Sequence, residues 1–139
     1  MAYGIPSDVR SVGWARRELR RHLHIWRIDG ELAGAAELLL SELVTNAVQA
    51  QPPGNPTVVV RFALPDGRLR LEVRDASDEQ PVMSEGTKED EECGRGLMLV
   101  GALASGWGVD RHVTGKTVWA ELAIIGRELT GRPSAPRKP

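Results

Sequence analysis

Residues 38–47 read Leu-Leu-Leu-Ser-Glu-Leu-Val-Thr-Asn-Ala, inside a longer pattern with apolar residues at Leu32, Ala36, Leu39, Leu40, Leu43 and Ala47. That spacing puts the apolar residues on one face of a helix. Glu42 and Asn46 stand at i and i+4, so one lies above the other along the edge of that face. Asn is a mediocre helix former because its amide competes with the backbone, and a helix shaped only by packing favours Ala, Lys or Arg there. A carboxylate and an amide aligned beside an apolar stripe suit a pocket wall, where one takes a proton and the other orients a ligand or metal. Alone, the pair is common on helices without function. Three later stretches give it meaning.

Working outward, Asp29 and Gly30 separate this helix, from about Glu31 to Ala50, from an earlier one. The earlier helix is expected to start at a cap on Ser7 or Asp8 and to run to about His24. Val9, Val12, Ala15, Leu19 and Leu23 form its apolar side, and Arg10, Arg16, Arg17, Arg20 and Arg21 lie opposite. That basic side reads as a solvated face, or as a docking surface for an acidic partner. His22 and His24 have no third ligand near them and read as surface or helix-end histidines. Residues 1–8, with Gly4 and Pro6, read as a flexible lead.

On the other side, Pro52, Pro53, Gly54 and Pro56 stop the helix. Thr57 to Leu64 is rich in β-branched residues, and Arg68 to Asp75 (RLRLEVRD) alternates strictly. Pro65, Asp66 and Gly67 join the two as a hairpin, so Leu69, Leu71 and Val73 face the core and Arg70, Glu72 and Arg74 face solvent. Residues 76–93 form a long loop with an acidic run at Glu89 to Glu92, and a loop of that length in a small domain is usually functional. Gly94-Arg95-Gly96 then opens a short apolar helix from Leu97 to about Ala104. Trp107 to His112 and Lys116 to Ile124 read as a last pair of strands around Thr114 and Gly115. The Pro- and Arg-rich stretch 126–139 is expected to be a disordered tail. Two hairpins with the helices segregated between them argue for an α+β, two-layer sandwich over residues 9–125: a mixed, mostly antiparallel sheet covered on one face by helices.

The 139 residues suit one domain, and 18 Lys and Arg against 19 Asp and Glu give no basic field for nucleic acid. The single cysteine, Cys93, excludes an internal disulfide and fits a reducing compartment. No signal-peptide pattern or membrane-length apolar run is present, so the expected location is the cytoplasm.

Three decoys fail. Gly115-Lys116-Thr117 looks like the end of a Walker A loop, but Asp110 stands where its first glycine belongs and a strand follows. Gly94-Arg95-Gly96 lacks the third glycine of a dinucleotide fingerprint. Neither Ser41 nor Cys93 has the surroundings of a nucleophile. Asp75, followed by Ser77 and Pro81, ends a strand with a carboxylate that suits an exocyclic amine. Gly94 and Gly96 sit at a helix start, where free backbone amides suit a phosphate.

In this order, Glu42-x-x-x-Asn46, Asp75-x-Ser77-x-x-x-Pro81, Gly94-Arg95-Gly96-Leu97 and Gly115-Lys116-Thr117-Val118-Trp119 resemble the N, G1, G2 and closing threonine boxes of the GHKL (Bergerat-fold) ATPases. SELVTNA, DASxxxP and GRGLMLV together look like the small RsbW-type anti-sigma factor serine/threonine kinases. The resemblance implies Glu42 as general base and Asn46 as the Mg²⁺ ligand. It implies Asp75 as reader of the adenine amine, with Ser77 beside it and Thr117 in support, and a phosphate cradle of Gly94, Arg95, Gly96 and Leu97. Gln49 falls in the same ATP-binding box, and residues 76–93 would be the ATP lid. The cofactors implied are ATP and Mg²⁺, and the partners a sigma factor, a STAS-domain anti-anti-sigma factor phosphorylated on Ser or Thr, and a second copy of the chain as a homodimer. No direct contact with nucleic acid or membrane is implied. Family members often carry a cation just after the N-box asparagine. Gln49 and Ala50 stand there here, which keeps alive a second reading, an ATP-binding partner switch without kinase activity.

Overall fold

The alternating stretch Arg68–Asp75 forms β3, a central strand of a five-stranded sheet. The computed structural model describes residues 2–51, 57–76 and 104–124. Around β3 stand β1 (Ala2–Pro6), β2 (Thr57–Ala63), β4 (Gly106–His112) and β5 (Gly115–Ala123), in the spatial order β1-β2-β3-β5-β4. All four of these pairings are antiparallel. Between β1 and β2 the chain forms α1 (Ser11–Ile25) and α2 (Gly30–Ala50), which pack on each other, while α2 also packs on β2, β3 and β5. The result is a two-layer α+β sandwich with one helical layer.

The two periodicities meet in one core. From the strands come Val58, Val60 and Phe62, then Leu69, Leu71 and Val73, then Val118, Ala120 and Leu122, all buried. From α2 come Ala36, Leu39, Leu40, Leu43, Val44 and Ala47, and from α1 Ala15, Leu19 and Leu23. Each large side chain buried in this way contributes about 1.5–3 kcal/mol. Asp66 and Gly67 take positive φ, 50° and 75°, in the turn that joins β2 to β3.

Facing away from the helices, arginines of β3 pair with glutamates of β3 and β5. Arg70 reaches Glu72 at 2.6 Å and Glu121 at 2.8 Å, and its guanidinium lies 4.3 Å from the centre of the Trp119 ring. Arg68 reaches Glu121 at 3.1 Å. Arg70 and Glu72 therefore lie on the expected outer face but are half-buried there.

The amino-terminal stretch departs from expectation. Residues 2–6, read as a flexible lead, make an edge strand that pairs with β2 from Ala2 opposite Arg61 to Pro6 opposite Thr57. The backbone ladder holds it, and Ile5 is buried beneath it. Helix α1 begins at Ser11, later than a cap on Ser7 or Asp8 would place it. The Asp8 carboxylate accepts the Arg10 amide at 2.8 Å and the Asp8 carbonyl accepts the Ser11 amide at 2.9 Å, which holds a turn there instead. Val9 falls in that turn and is exposed. On the basic side of α1, Arg16 donates to the Ser41 hydroxyl at 3.2 Å and Arg20 pairs with Glu37 at 3.0 Å, so both bind α2.

His22 is a second correction. It is buried, sharing a 2.7 Å hydrogen bond with the Tyr3 hydroxyl and lying edge-on to Phe62 and close to Trp26. His24 stays exposed. Among the described residues no cluster of His, Cys, Asp and Glu suits a metal, and no helix is long and apolar enough to cross a membrane. The expected loop beyond Ala76, the Gly94–Leu97 segment, the start of the short helix and the carboxy-terminal tail lie outside the described residues.

Burial, reinforced by the neighbouring Arg21, lowers the His22 pKa below its usual 6.5. Between that lowered value and 6.5 the unfolded chain binds more protons than the folded one. Stability is then fully present above pH 6.5 and is lost as pH falls through the window. Urea unfolding from pH 7 to pH 5 should show a falling midpoint in the native chain and a flatter one in His22→Gln. Equal slopes would remove His22 as the cause.

Candidate functional site

Asp75 is the last residue of β3 and lies opposite Lys116, the second residue of β5. Strand alternation puts Asp75 in phase with Val73, Leu71 and Leu69, and Lys116 in phase with Val118, Ala120 and Leu122. Both side chains therefore point into the layer between sheet and helices. There the Lys116 Nζ donates to both Asp75 carboxylate oxygens, at 3.0 and 3.1 Å, with side chains only 3% and 1% exposed. Gly115 makes the approach possible. Its φ is +145°, and a Cβ on it would overlap the Asp75 carbonyl oxygen and come within 2.8 Å of the Ala76 Cα. Glycine alone fits without strain.

The facing wall is α2. Glu42 and Asn46 are half-buried along it, one turn apart. Asn46 Nδ2 is the buried side-chain nitrogen or oxygen that lacks a hydrogen-bond partner among the described residues. Leaving such a donor unpaired costs about 1–3 kcal/mol, and it suits a hydrogen-bond acceptor. Just past the helix, Gln51 joins the two walls. Its Nε2 donates to the Thr57 carbonyl at 2.6 Å, and its Oε1 accepts the Ala76 amide at 2.8 Å. The carboxy-terminal end of α2 is thereby tied to the backbone that follows Asp75. Gln49 is exposed and makes contacts of its own.

Thr117 is placed differently from expectation. It pairs in register with Arg74 on the outward face, and its hydroxyl meets His112 Nε2 at 2.8 Å. The physical reason is the period of two: consecutive residues on β5 point to opposite faces, and Lys116 takes the inward one. Ser77, Gly94, Arg95, Gly96 and Leu97 lie outside the described residues. Lys116, Gln51 and the Gly115 contact were missed in the sequence. The signal for Lys116 was present, since it continues the inward series of Val118, Ala120 and Leu122. Gln51 carried none, because its partners are distant backbone atoms.

The arrangement offers a buried acceptor at a strand end, and a carboxylate and an unpaired amide on the helix across from it. The residues implied for ATP and Mg²⁺ fit that chemistry. Asp75 has carboxylate oxygens of the kind a base amine would donate to, and the Asn46 amide carries an oxygen of the hard type that Mg²⁺ takes beside a donor without a partner among the described residues.

Residues 5–122 match the family described as the histidine kinase-like ATPase domain, and that domain implies nucleotide binding. An uncharacterized protein of Streptomyces coelicolor is 32% identical over 85 residues, 60% of this chain and 81% of that protein. Among solved structures, the RsbU and RsbW domains of Rv1364c from Mycobacterium tuberculosis superpose with a TM-score of 0.62 at 21% identity, over 88% of this chain and 32% of that one. The histidine kinase domain of the Erythrobacter litoralis blue-light activated histidine kinase gives 0.53 at 25% identity, over 91% and 64%. The chain thus spans about a third of the first structure and under two thirds of the second.

Gly115→Ala should lower stability by about 2–4 kcal/mol in denaturant unfolding, because the new methyl group must displace the end of β3. A loss under about 0.5 kcal/mol, the range of ordinary surface substitutions, would show that β3 yields at no cost.

Proposed function

Since the chain belongs to the histidine kinase-like ATPase family, of GHKL type, we propose that it is an ATP-binding regulator of the anti-sigma kind. It sequesters a sigma factor and transfers phosphate from Mg·ATP to a serine or threonine of a STAS-domain partner. The observation that carries this reading is Asn46, whose buried Nδ2 has no partner among the described residues, one helical turn from Glu42. A packing helix has no use for it. A nucleotide site does.

In this reading Asp75 accepts the exocyclic amine of adenine, with Ser77 beside it. Gly94, Arg95, Gly96 and Leu97 cradle the phosphates, and residues 76–93 act as the lid. Glu42 takes the proton from the attacking hydroxyl, a service worth about 10²–10⁴-fold in rate. The Asn46 amide oxygen holds Mg²⁺, which when bound offsets charge on the phosphates. Gln51 keeps the helix and the base-reading strand end at a fixed separation. Thr117, facing outward onto His112, supports β5 and leaves the base contact to Asp75. Arg17 and Arg20 are exposed on α1 and offer a basic docking surface for an acidic partner, while Arg16 also bonds to α2. A homodimer in the cytoplasm completes the proposal.

The second reading keeps ATP binding without phosphoryl transfer. Gln49 and Ala50 favour it, since neither brings a cation to the phosphates.

Calorimetry and partner phosphorylation separate these outcomes. Asn46→Ala should leave stability unchanged or raise it by about 0.5 kcal/mol, Ala being the better helix former, while weakening Mg·ATP binding at least about tenfold. Binding unchanged in that variant would sink the site. Glu42→Ala should bind Mg·ATP like the native chain and transfer no phosphate to a STAS-domain protein, as read by mass spectrometry. Native protein that binds ATP and transfers none selects the second reading.

A further inference from the structure

At the end of the sheet that carries Asp75, the pairing of β2 with β3 stops early. Its register runs from Ala63 opposite Arg70 to Val59 opposite Arg74. Continued along both strands, it would set Thr57 opposite Ala76. There the Gln51 side chain stands in place of the next rung. Its Nε2 donates to the Thr57 carbonyl at 2.6 Å and its Oε1 accepts the Ala76 amide at 2.8 Å. A primary amide offers the same donor and acceptor as a peptide unit, so it can be inserted between two strands with both backbone groups still paired. The Thr57 carbonyl only accepts and the Ala76 N–H only donates, which fixes the orientation of the amide. The inserted group keeps the two strand ends apart, where a direct rung would draw them together.

We propose that Gln51 is a positioning residue of the nucleotide site: its amide holds β2 and β3 open by one rung and so sets where the base meets the end of β3. The inference rests on the reading of Asp75 as the base contact. On its other side that strand end is held by β5, with Asp75 in register opposite Lys116. Gln51 supplies the restraint on the β2 side. It also directly follows α2, and its own N–H donates to the Ala47 carbonyl at 3.0 Å. The residue that spaces the strands is therefore anchored to the helix of Glu42 and Asn46. Only a side chain of this length with both a donor and an acceptor makes both bonds. Without it β3 is free to close on β2, and the base contact moves while Glu42 and Asn46 stay in place on α2. A misplacement of this kind costs affinity although the lost side chain never touches the ligand.

The experiment is calorimetric titration of the full chain with Mg·ATP and with Mg·tripolyphosphate, which lacks the base and the sugar. The native chain should bind Mg·ATP the more tightly. Gln51→Ala should weaken Mg·ATP about tenfold, the worth of one well-placed hydrogen bond, and leave Mg·tripolyphosphate within about twofold of native. Gln51→Glu, equal in length but without a donor for the Thr57 carbonyl, should behave as Gln51→Ala does. A merely structural role would instead lower the urea midpoint and weaken both ligands alike. That outcome overturns the proposal, as does native-like Mg·ATP binding in Gln51→Ala. If Gln51→Ala fails to fold, Gln51→Glu decides with the same two ligands; failure of both to fold would make Gln51 a fastener of the fold and overturns the proposal too. A native chain that binds neither ligand, or binds ATP no more tightly than tripolyphosphate, overturns the base reading and this inference together. A native chain that prefers ATP while both variants keep that preference overturns this inference alone.

Discussion

The pairing of Asp75 with Lys116 fixes how β3 meets β5, and most of the molecule follows from that register. A slip by one residue would carry Leu69, Leu71 and Val73 to the outer face and turn Arg68, Arg70, Glu72 and Arg74 into the core. The native register buries three apolar residues from each strand and matches the one inward acid with the one inward base among them. Removing one partner of such a pair typically costs about 3–5 kcal/mol, because the other charge is left uncompensated. A wrong register therefore loses twice, in apolar burial and in charge. The left-handed Gly115 at the start of β5 belongs to the same constraint, since it lets the two backbones close over the pair.

Helix α2 carries two demands on one surface. Its stripe from Ala36 to Ala47 closes the core over β3 and β5. Its edge carries Glu42 and Asn46, and Asn46 holds a donor without a partner among the described residues. Natural chains break a rule of local consistency mostly where function needs it. Gln51 adds the connection that neither element provides alone, with one side chain bonded to the backbone of both neighbouring strands. The apolar stripe and the polar edge thus lie on separable parts of one helix. The stripe closes the core, and the edge carries the candidate site residues beside the Gln51 brace.

Elsewhere among the described residues several polar side chains bond to one another. Arg68, Arg70, Glu72 and Glu121 form a connected set beside Trp119 on the outer face of the sheet. Arg16 and Arg20 bind α1 to α2. Partly shielded bonds of this kind contribute more than isolated surface pairs, whose median worth is about 0–1 kcal/mol. Tyr3 and His22 similarly hold the edge strand β1 against α1.

By itself the sequence determined the elements and the faces they bury. The strict alternation of Arg68 to Asp75 gave β3 with its bounds and its inward residues. The 3.6-residue spacing of the second helix gave its core stripe, and the order of elements gave an α+β sandwich. Placing Glu42 and Asn46 on one helix edge needed only that spacing. What only the tertiary structure decided is who stands opposite whom. Lys116 and Asp75 lie 41 residues apart in the chain, and periodicity states which way each points but not that they meet. The same limit hid the strand at residues 2–6, whose order comes from β2, and the burial of His22, which comes from Tyr3 and Phe62. It also hid the bracing by Gln51 and the contact of Thr117 with His112. Local pattern fixes a residue's direction because backbone geometry repeats every two or 3.6 residues. Long-range pairing repeats nothing, and so it is written only in the packed chain.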